Sequence, residues 1–157
     1  MRSATILLAT ALSWSFSASL QAQKILWDKS LGGKQSDYLM DALPTPDYGF
    51  LLAGSSLSIK SGNKQQTTQG DLDFWLWKMD EKGDQEWQKN FGGSGSDLLY
   101  SITASPNGGY LIAGTSNSPK SFDKKTASLG GDDIWLIKLN PRGEEEWQLT
   151  LGGMDQE

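Results

Sequence analysis

The chain has 157 residues, with 14 Lys plus Arg against 19 Asp plus Glu, a net charge of −5, no Cys and no His. The two zeros exclude disulfide frameworks, thiol nucleophiles, zinc ribbons, Ser-His-Asp triads and imidazole metal ligands. The acidic balance excludes a typical nucleic-acid partner, whose affinity comes mostly from Lys and Arg neutralising phosphates, while 37% hydrophobic residues, 10% aromatics and 18 Gly point to strands and turns rather than helices.

Residues 1–22 read as an address. Arg2 precedes an apolar run from Ala4 to Phe16, and small residues (Ser17, Ala18, Ser19) lead to Ala22, the pattern of a cleavable secretory signal peptide. The run is shorter than the roughly 20 residues that a spanning helix needs. The alternative, an uncleaved N-terminal anchor, lacks the charged flank expected on its C-terminal side. No other segment offers an integral membrane span. The expectation is an exported chain starting near Gln23, in the periplasm, on the outer surface or outside the cell.

Beyond the leader the chain repeats itself. Trp27, Trp87 and Trp147 are each 60 residues apart, as are the glycine pairs at 32–33, 92–93 and 152–153. The register holds without a gap through Asp37 and Asp97, Ala53-Gly54 and Ala113-Gly114, Asp73 and Asp133, Trp75 and Trp135, and Gly83 and Gly143, with 23 identities in 60 positions between residues 24–83 and 84–143. A fixed period of this length marks a repeat architecture.

Each copy reads as four short strands. In the second copy these are 97–106, 109–116, 132–140 and 144–151. The runs GYLIAGTS and DIWLIKLN are nearly continuous apolar stretches, the pattern of strands covered on both faces. The first of the four alternates imperfectly. TPDYG (45–49) and SPNGG (105–109) combine Pro, Asp or Asn, and Gly as turns do, and DEKGDQ (80–85) and NPRGEE (140–145) are short enough for tight hairpins. Hairpin pairing fixes each sheet in sequence order, so the chain changes sheet at the glycine-rich segment 91–97, where Gly tolerates irregular backbone. Residues 23–36 then hold the outer strand of an incomplete blade, 37–96 form blade one, and 97–157 form blade two and the start of the next crossover. Repeated four-stranded antiparallel sheets imply an all-β, β-propeller-type fold.

The string FGGSGSDLLYSITASPNGGYLIAGTSNSP (91–119) and its continuation DDIWLIKLNPRGEEEWQ (132–148) resemble the β-propeller repeats of secreted, Bacteroidetes-type bacterial proteins. The resemblance covers residues 24–157 and implies recognition or display rather than one chemistry. The first copy departs from the pattern at Lys34-Gln35 and Asp47-Tyr48, both turn positions. The spacing Gly83 to Trp87 and Gly143 to Trp147 is also similar to the tryptophan-docking turn of quinoprotein propellers. A Trp filling the gap between neighbouring sheets explains it without a quinone cofactor.

Three sets of residues are weighed as a site. Asp71, Asp73, Asp132 and Asp133 flank a strand entry, where clustered carboxylates could serve Ca²⁺. Their repetition favours hydrogen bonding to turn N–H groups instead, the role also expected of Asp37 and Asp97. Glu144, Glu145 and Glu146 are adjacent on a strand, so they face opposite sides and cannot share one substrate. The long polar loops 56–70 and 116–131 fall at the same point of the repeat, hence on the same face, and Lys60, Lys64, Lys120, Lys124 and Lys125 would make that face basic against an acidic body.

The expected function is a non-catalytic binding, scaffold or surface-display module with no cofactor, whose partner is a protein or polysaccharide at the cell surface. Propellers have about four to eight blades, so further blades or self-association are expected beside the two in this chain. The alternatives are a quinone-dependent or carboxylate-glycosidase propeller, and a fragment of a larger surface protein without a function of its own.

Overall fold

The computed structural model describes residues 24–153. The predicted leader lies outside the described residues. Eight strands follow in order: β1 (Asp37–Pro44), β2 (Phe50–Ser56), β3 (Asp73–Met79), β4 (Gln85–Phe91), β5 (Asp97–Ala104), β6 (Tyr110–Ser116), β7 (Asp133–Leu139) and β8 (Glu145–Leu151). They make two four-stranded antiparallel sheets, ordered β1-β2-β3-β4 and β5-β6-β7-β8. These are the two blades expected from the hairpins, with strand ends displaced by a residue or two.

The turns explain the register. In the β3–β4 turn Asp80 N donates to Asp84 O at 2.9 Å and Gly83 N to Asp80 O at 3.0 Å, while the Asp80 carboxylate accepts from Lys82 N and Asp84 N at 2.9 and 2.8 Å. Asn140 repeats this on Arg142 N and Glu144 N at 2.9 and 3.1 Å. The turn needs a left-handed residue, supplied by Gly83 (φ +77°) and Gly143 (φ +72°). The imperfect alternation of β5 also has a cause. A bulge between Leu99 and Ser101 shifts the pairing by one, which turns Leu99 and Ile102 to the same covered face although they are three apart.

The two sheets stack through an apolar layer. Blade one contributes Leu51, Ala53, Phe74, Leu76 and Phe91; blade two contributes Leu99, Ile102, Tyr110, Ile112, Trp135, Ile137 and Leu139. At its centre the rings of Phe74 and Trp135 lie 5.0 Å apart. Burying each such side chain stabilises the fold by about 1.5–3 kcal/mol. Two polar contacts finish the layer where the bulge leaves β5 N–H groups unpaired: Leu99 N donates to Ser55 Oγ at 2.8 Å and Ile102 N to Asp41 Oδ2 at 3.0 Å.

Coverage differs between the blades. Every residue of β3 is buried, as a strand covered on both faces requires. β7 instead alternates, with Ile134 exposed and Trp135 buried. The expectation that the two apolar runs of the second copy, β6 and β7, are covered on both faces therefore fails, since both alternate, whereas β3 of blade one is covered on both. Blade one lies between blade two and the segment 24–31, whereas nothing among the described residues lies on the far face of blade two.

That N-terminal segment is not a strand. Residues 24–33 make no ladder, and Trp27 and Leu31 pack on the face of blade one, against Phe50, Leu52, Trp75 and Trp77, rather than along a strand edge. Their side chains nevertheless take the place expected of an outer strand. Trp27 packs edge-on to Phe50 at 6.4 Å and against Gly83, as Trp87 packs on Tyr110 at 6.4 Å and against Gly143.

Candidate functional site

Because successive strands reverse direction, the two long loops and the glycine-rich crossovers share one end of the blades, and the tight turns share the other. The loop end holds most of the candidate residues. Gly33 N donates to Asp37 Oδ2 and Gly93 N to Asp97 Oδ2, each at 2.7 Å. Ser58 and Ser118 donate to the same carboxylates at 3.2 and 2.9 Å and accept from Gln35 N and Gly95 N at 3.0 and 2.9 Å. Ser61 and Ser121 accept from Lys34 N and Ser94 N, both at 2.9 Å. A Cβ at residue 93 would lie 2.3 Å from the Ser118 Cβ. Only a glycine lets the loop close on the crossover at this distance.

The first part of each long loop is thus fastened to its own blade rather than free in solvent, and this corrects the basic face. Lys64 and Lys124 are 2% and 0% exposed. The Lys64 ammonium donates to Asn90 Oδ1 at 2.7 Å and lies 5.4 Å from the centre of the Trp75 ring. The Lys124 ammonium donates to Thr150 Oγ1 at 2.9 Å and lies 5.6 Å from the Trp135 ring. A desolvated cation over an indole face is worth about 2 kcal/mol, which helps to hold a buried charge. Burial lowers both ammonium pKa values, that of Lys64 to about 8. Lys60 and Lys120 stay exposed; Lys125 is exposed and pairs with Glu145 at 2.7 Å.

The four candidate calcium carboxylates divide into unlike pairs. Asp71 and Asp132 are exposed, whereas Asp73 and Asp133 are 0% and 1% exposed. Asp73 Oδ2 accepts from Gln69 N at 2.8 Å and also from the Asn90 amide. Asp133 Oδ2 accepts from Leu129 N and Ser128 Oγ at 2.7 and 3.0 Å. The sequence neighbours are therefore not brought to one point. No group of three or more acidic residues converges among the described residues. Burial raises the Asp73 pKa to about 6, against the bonds from Gln69 and Asn90.

Sequence reasoning passed over Gln88 and Gln148. Each accepts an indole N–H, from Trp75 and Trp135, both at 3.1 Å. Each also accepts from a loop N–H, Gln65 at 3.0 Å and Lys125 at 2.8 Å, and donates to a loop carbonyl, Asn63 at 2.9 Å and Asp123 at 2.8 Å. The signal was present in the Glu-Trp-Gln triplets at 86–88 and 146–148, and in Ser58, Ser61 and Lys64 recurring unchanged at 60 residues inside a loop. A loop with no packing role has no physical reason to repeat its residues.

Asp41 and Asp47, carboxylates that blade two lacks, are also engaged, Asp47 on a lysine whose other ion pair recurs as Lys138 with Glu146 at 3.0 Å. Lys78, 3% exposed, bridges Asp47 at 2.8 Å and Glu86 at 2.6 Å, and Asp41 holds the β5 bulge. The concave space beside blade one, about 210 Å³ and lined by Leu31, Leu39, Leu52, Trp75 and Trp77, is mostly apolar. The arrangement can bury a flat apolar surface, and no nucleophile stands beside a base in it among the described residues. No protein-family model matches the chain, and no curated protein matches it. The described residues form an all-β protein of two stacked, four-stranded antiparallel blades.

Proposed function

We propose that the chain is a non-catalytic module of the β-propeller type, exported by its N-terminal segment, that serves as a scaffold or recognition surface outside the cytoplasm. One observation carries this reading. Buried and half-buried polar groups recur at 60 residues and bond loops to blades: Asp37 and Asp97, Asp73 and Asp133, Lys64 and Lys124, Gln88 and Gln148. Chemistry needs unlike groups converging on one reacting atom, whereas groups that recur with the repeat and bond to their own loop and blade neighbours serve structure.

Turnover assays test it. The purified chain is incubated with a panel of nitrophenyl glycosides, and separately with pyrroloquinoline quinone, Ca²⁺, primary alcohols and a redox dye. No turnover above buffer is expected in either arm. Hydrolysis abolished by Glu145→Gln, or dye reduction dependent on the quinone, overturns the reading. Export is tested by fusing residues 1–22 to a phosphatase active only outside the cytoplasm, with activity expected and its absence contradicting the assignment.

A further inference from the structure

The contact between the two blades is a contact between two different faces, and the repeat presents both faces a second time. Blade one meets blade two with Leu51, Ala53, Phe74, Leu76, Trp87 and Phe91. Sixty residues on, blade two carries Leu111, Ala113, Ile134, Leu136, Trp147 and Leu151 on its far face. There Ile134 is 49%, Trp147 46% and Leu151 44% exposed, where Phe74 is 0% and Phe91 8%. The receiving face of blade two is built on Leu99, Ile112 and Trp135, all 0% exposed. Its counterpart on blade one is Leu39, Leu52 and Trp75, beside the apolar hollow, with Leu39 65% exposed.

We infer that the far face of blade two docks on the receiving face of blade one in a second copy of this chain, head to tail. The inference rests on the proposed scaffold reading and names its partner. The internal interface shows the two face types fitting, and one of its two polar contacts has a counterpart in the repeat. Ser55 Oγ accepts Leu99 N within the chain, and Thr115 stands at the same place in the repeat to accept Leu39 N of the second copy. Such an interface is heterologous, with different surfaces on its two sides, so each further copy adds two blades.

The segment 24–31 already holds part of the receiving place. Trp27 and Leu31 lie where Trp147 and Leu151 of the second copy would go, since Trp27 covers Gly83 as Trp87 covers Gly143. It is held without a ladder, by the Trp27 indole on Glu81 O at 3.2 Å and by the Lys29 ammonium on Gly83 O and Asp84 at 2.6 and 2.8 Å, the latter pair exposed to solvent, and Ile25 and Leu26 are 79% and 83% exposed. Docking therefore displaces this segment, and the segment lowers the apparent affinity by the fraction of time it is seated.

Light scattering after size exclusion, over a concentration series of the full chain, tests the inference. Species of two or more copies are expected, increasing with concentration. Ile134→Glu on one face and Leu39→Glu on the other change residues exposed in a single copy, so each variant keeps its circular dichroism and melting temperature. Each raises the dissociation concentration about a hundredfold or more, the effect of a charge buried unpaired in an apolar contact. Mixed together, the two variants form one species of twice the single mass, because each retains the face the other lacks. Trp27→Ala lowers the dissociation concentration about fivefold by emptying the seat. A single-copy chain at all concentrations, assembly indifferent to either Glu variant, a mixture that does not pair, or looser assembly of Trp27→Ala each overturns the inference. None of these outcomes touches the turnover assays that test the scaffold reading.

Discussion

The ring of Trp87 rests on the backbone of Gly143 in the next blade: a methyl group added at residue 143 would meet the indole at 2.8 Å. Gly143 also has φ +72°, so the same residue closes a hairpin and leaves the space that the indole fills. Trp87→Ala is expected to cost about 2–4 kcal/mol through lost packing. Gly143→Ala is expected to cost about 1–2 kcal/mol for the left-handed backbone, plus the displacement of the ring. Once Trp87 is truncated only the backbone cost remains. Urea denaturation of both single variants and the double variant should therefore show coupling of about 1 kcal/mol; strict additivity would mean that the two residues do not meet.

Two turns carry a bulky residue where the other copy has glycine. Tyr48 has φ +63° opposite Gly108 in the repeat, and Phe122 has φ +48° opposite Gly62. Both aromatics are mostly exposed, 82% and 66%, so little packing offsets the strain. Tyr48→Gly and Phe122→Gly should each raise stability by about 0.5–1 kcal/mol, less a part lost to the freer unfolded chain. A lower melting temperature for either would show that its ring holds a contact worth more than the strain.

Asp73 and Asp133 occupy equivalent places and respond oppositely to pH. Burial, the largest influence on Asp73, raises its pKa to about 6 from the ordinary 3.8. Between those values the unfolded chain has released the proton while the folded chain retains it, so stability falls as pH rises through this window, by about 1–3 kcal/mol. Asp73→Asn should remove that slope. Asp133 is also pushed up by burial, but the bonds from Leu129 N and Ser128 Oγ outweigh it and hold its pKa below 3.8. Its stabilisation is present above the unfolded value and is lost as pH falls through the folded one. Melting curves from pH 3 to 8 check both signs; a slope between pH 4 and 6 unchanged in Asp73→Asn would remove Asp73 as its source.

The lysines of the long loops should separate by reactivity. Lys64 and Lys124 are buried against Trp75 and Trp135, whereas Lys60 and Lys120 are exposed. A buried amine reacts only from the locally opened state. Brief acetylation of the native chain followed by peptide mass spectrometry should modify Lys60 and Lys120 at least about tenfold faster than Lys64 and Lys124. Equal rates would place all four in solvent. Lys64→Met, which keeps the stem over Trp75, should cost less than Lys64→Ala, since the charge itself is expensive to bury.

Much of this protein was legible in its sequence. The period of 60 gave the number of blades, the hairpin residues Asp80, Gly83, Asn140 and Gly143 gave the strand order, and the glycine pairs gave the crossovers, because turns and periods are local and one residue type satisfies each. Asp37 and Asp97 closing the glycine turns were read the same way. The side-chain environments were not legible. Lys64 and Lys120 lie in equally polar loops, and only the fold puts the first over Trp75 and leaves the second in water. Residues 24–31 repeat the outer-strand sequence without pairing as one, since a ladder needs an edge that the residues themselves do not supply. The sequence by itself determined the repeat and the local geometry of its turns. The tertiary structure decided which apolar faces are covered and which charges are buried, because both depend on what lies across the gap from a residue rather than beside it in the chain.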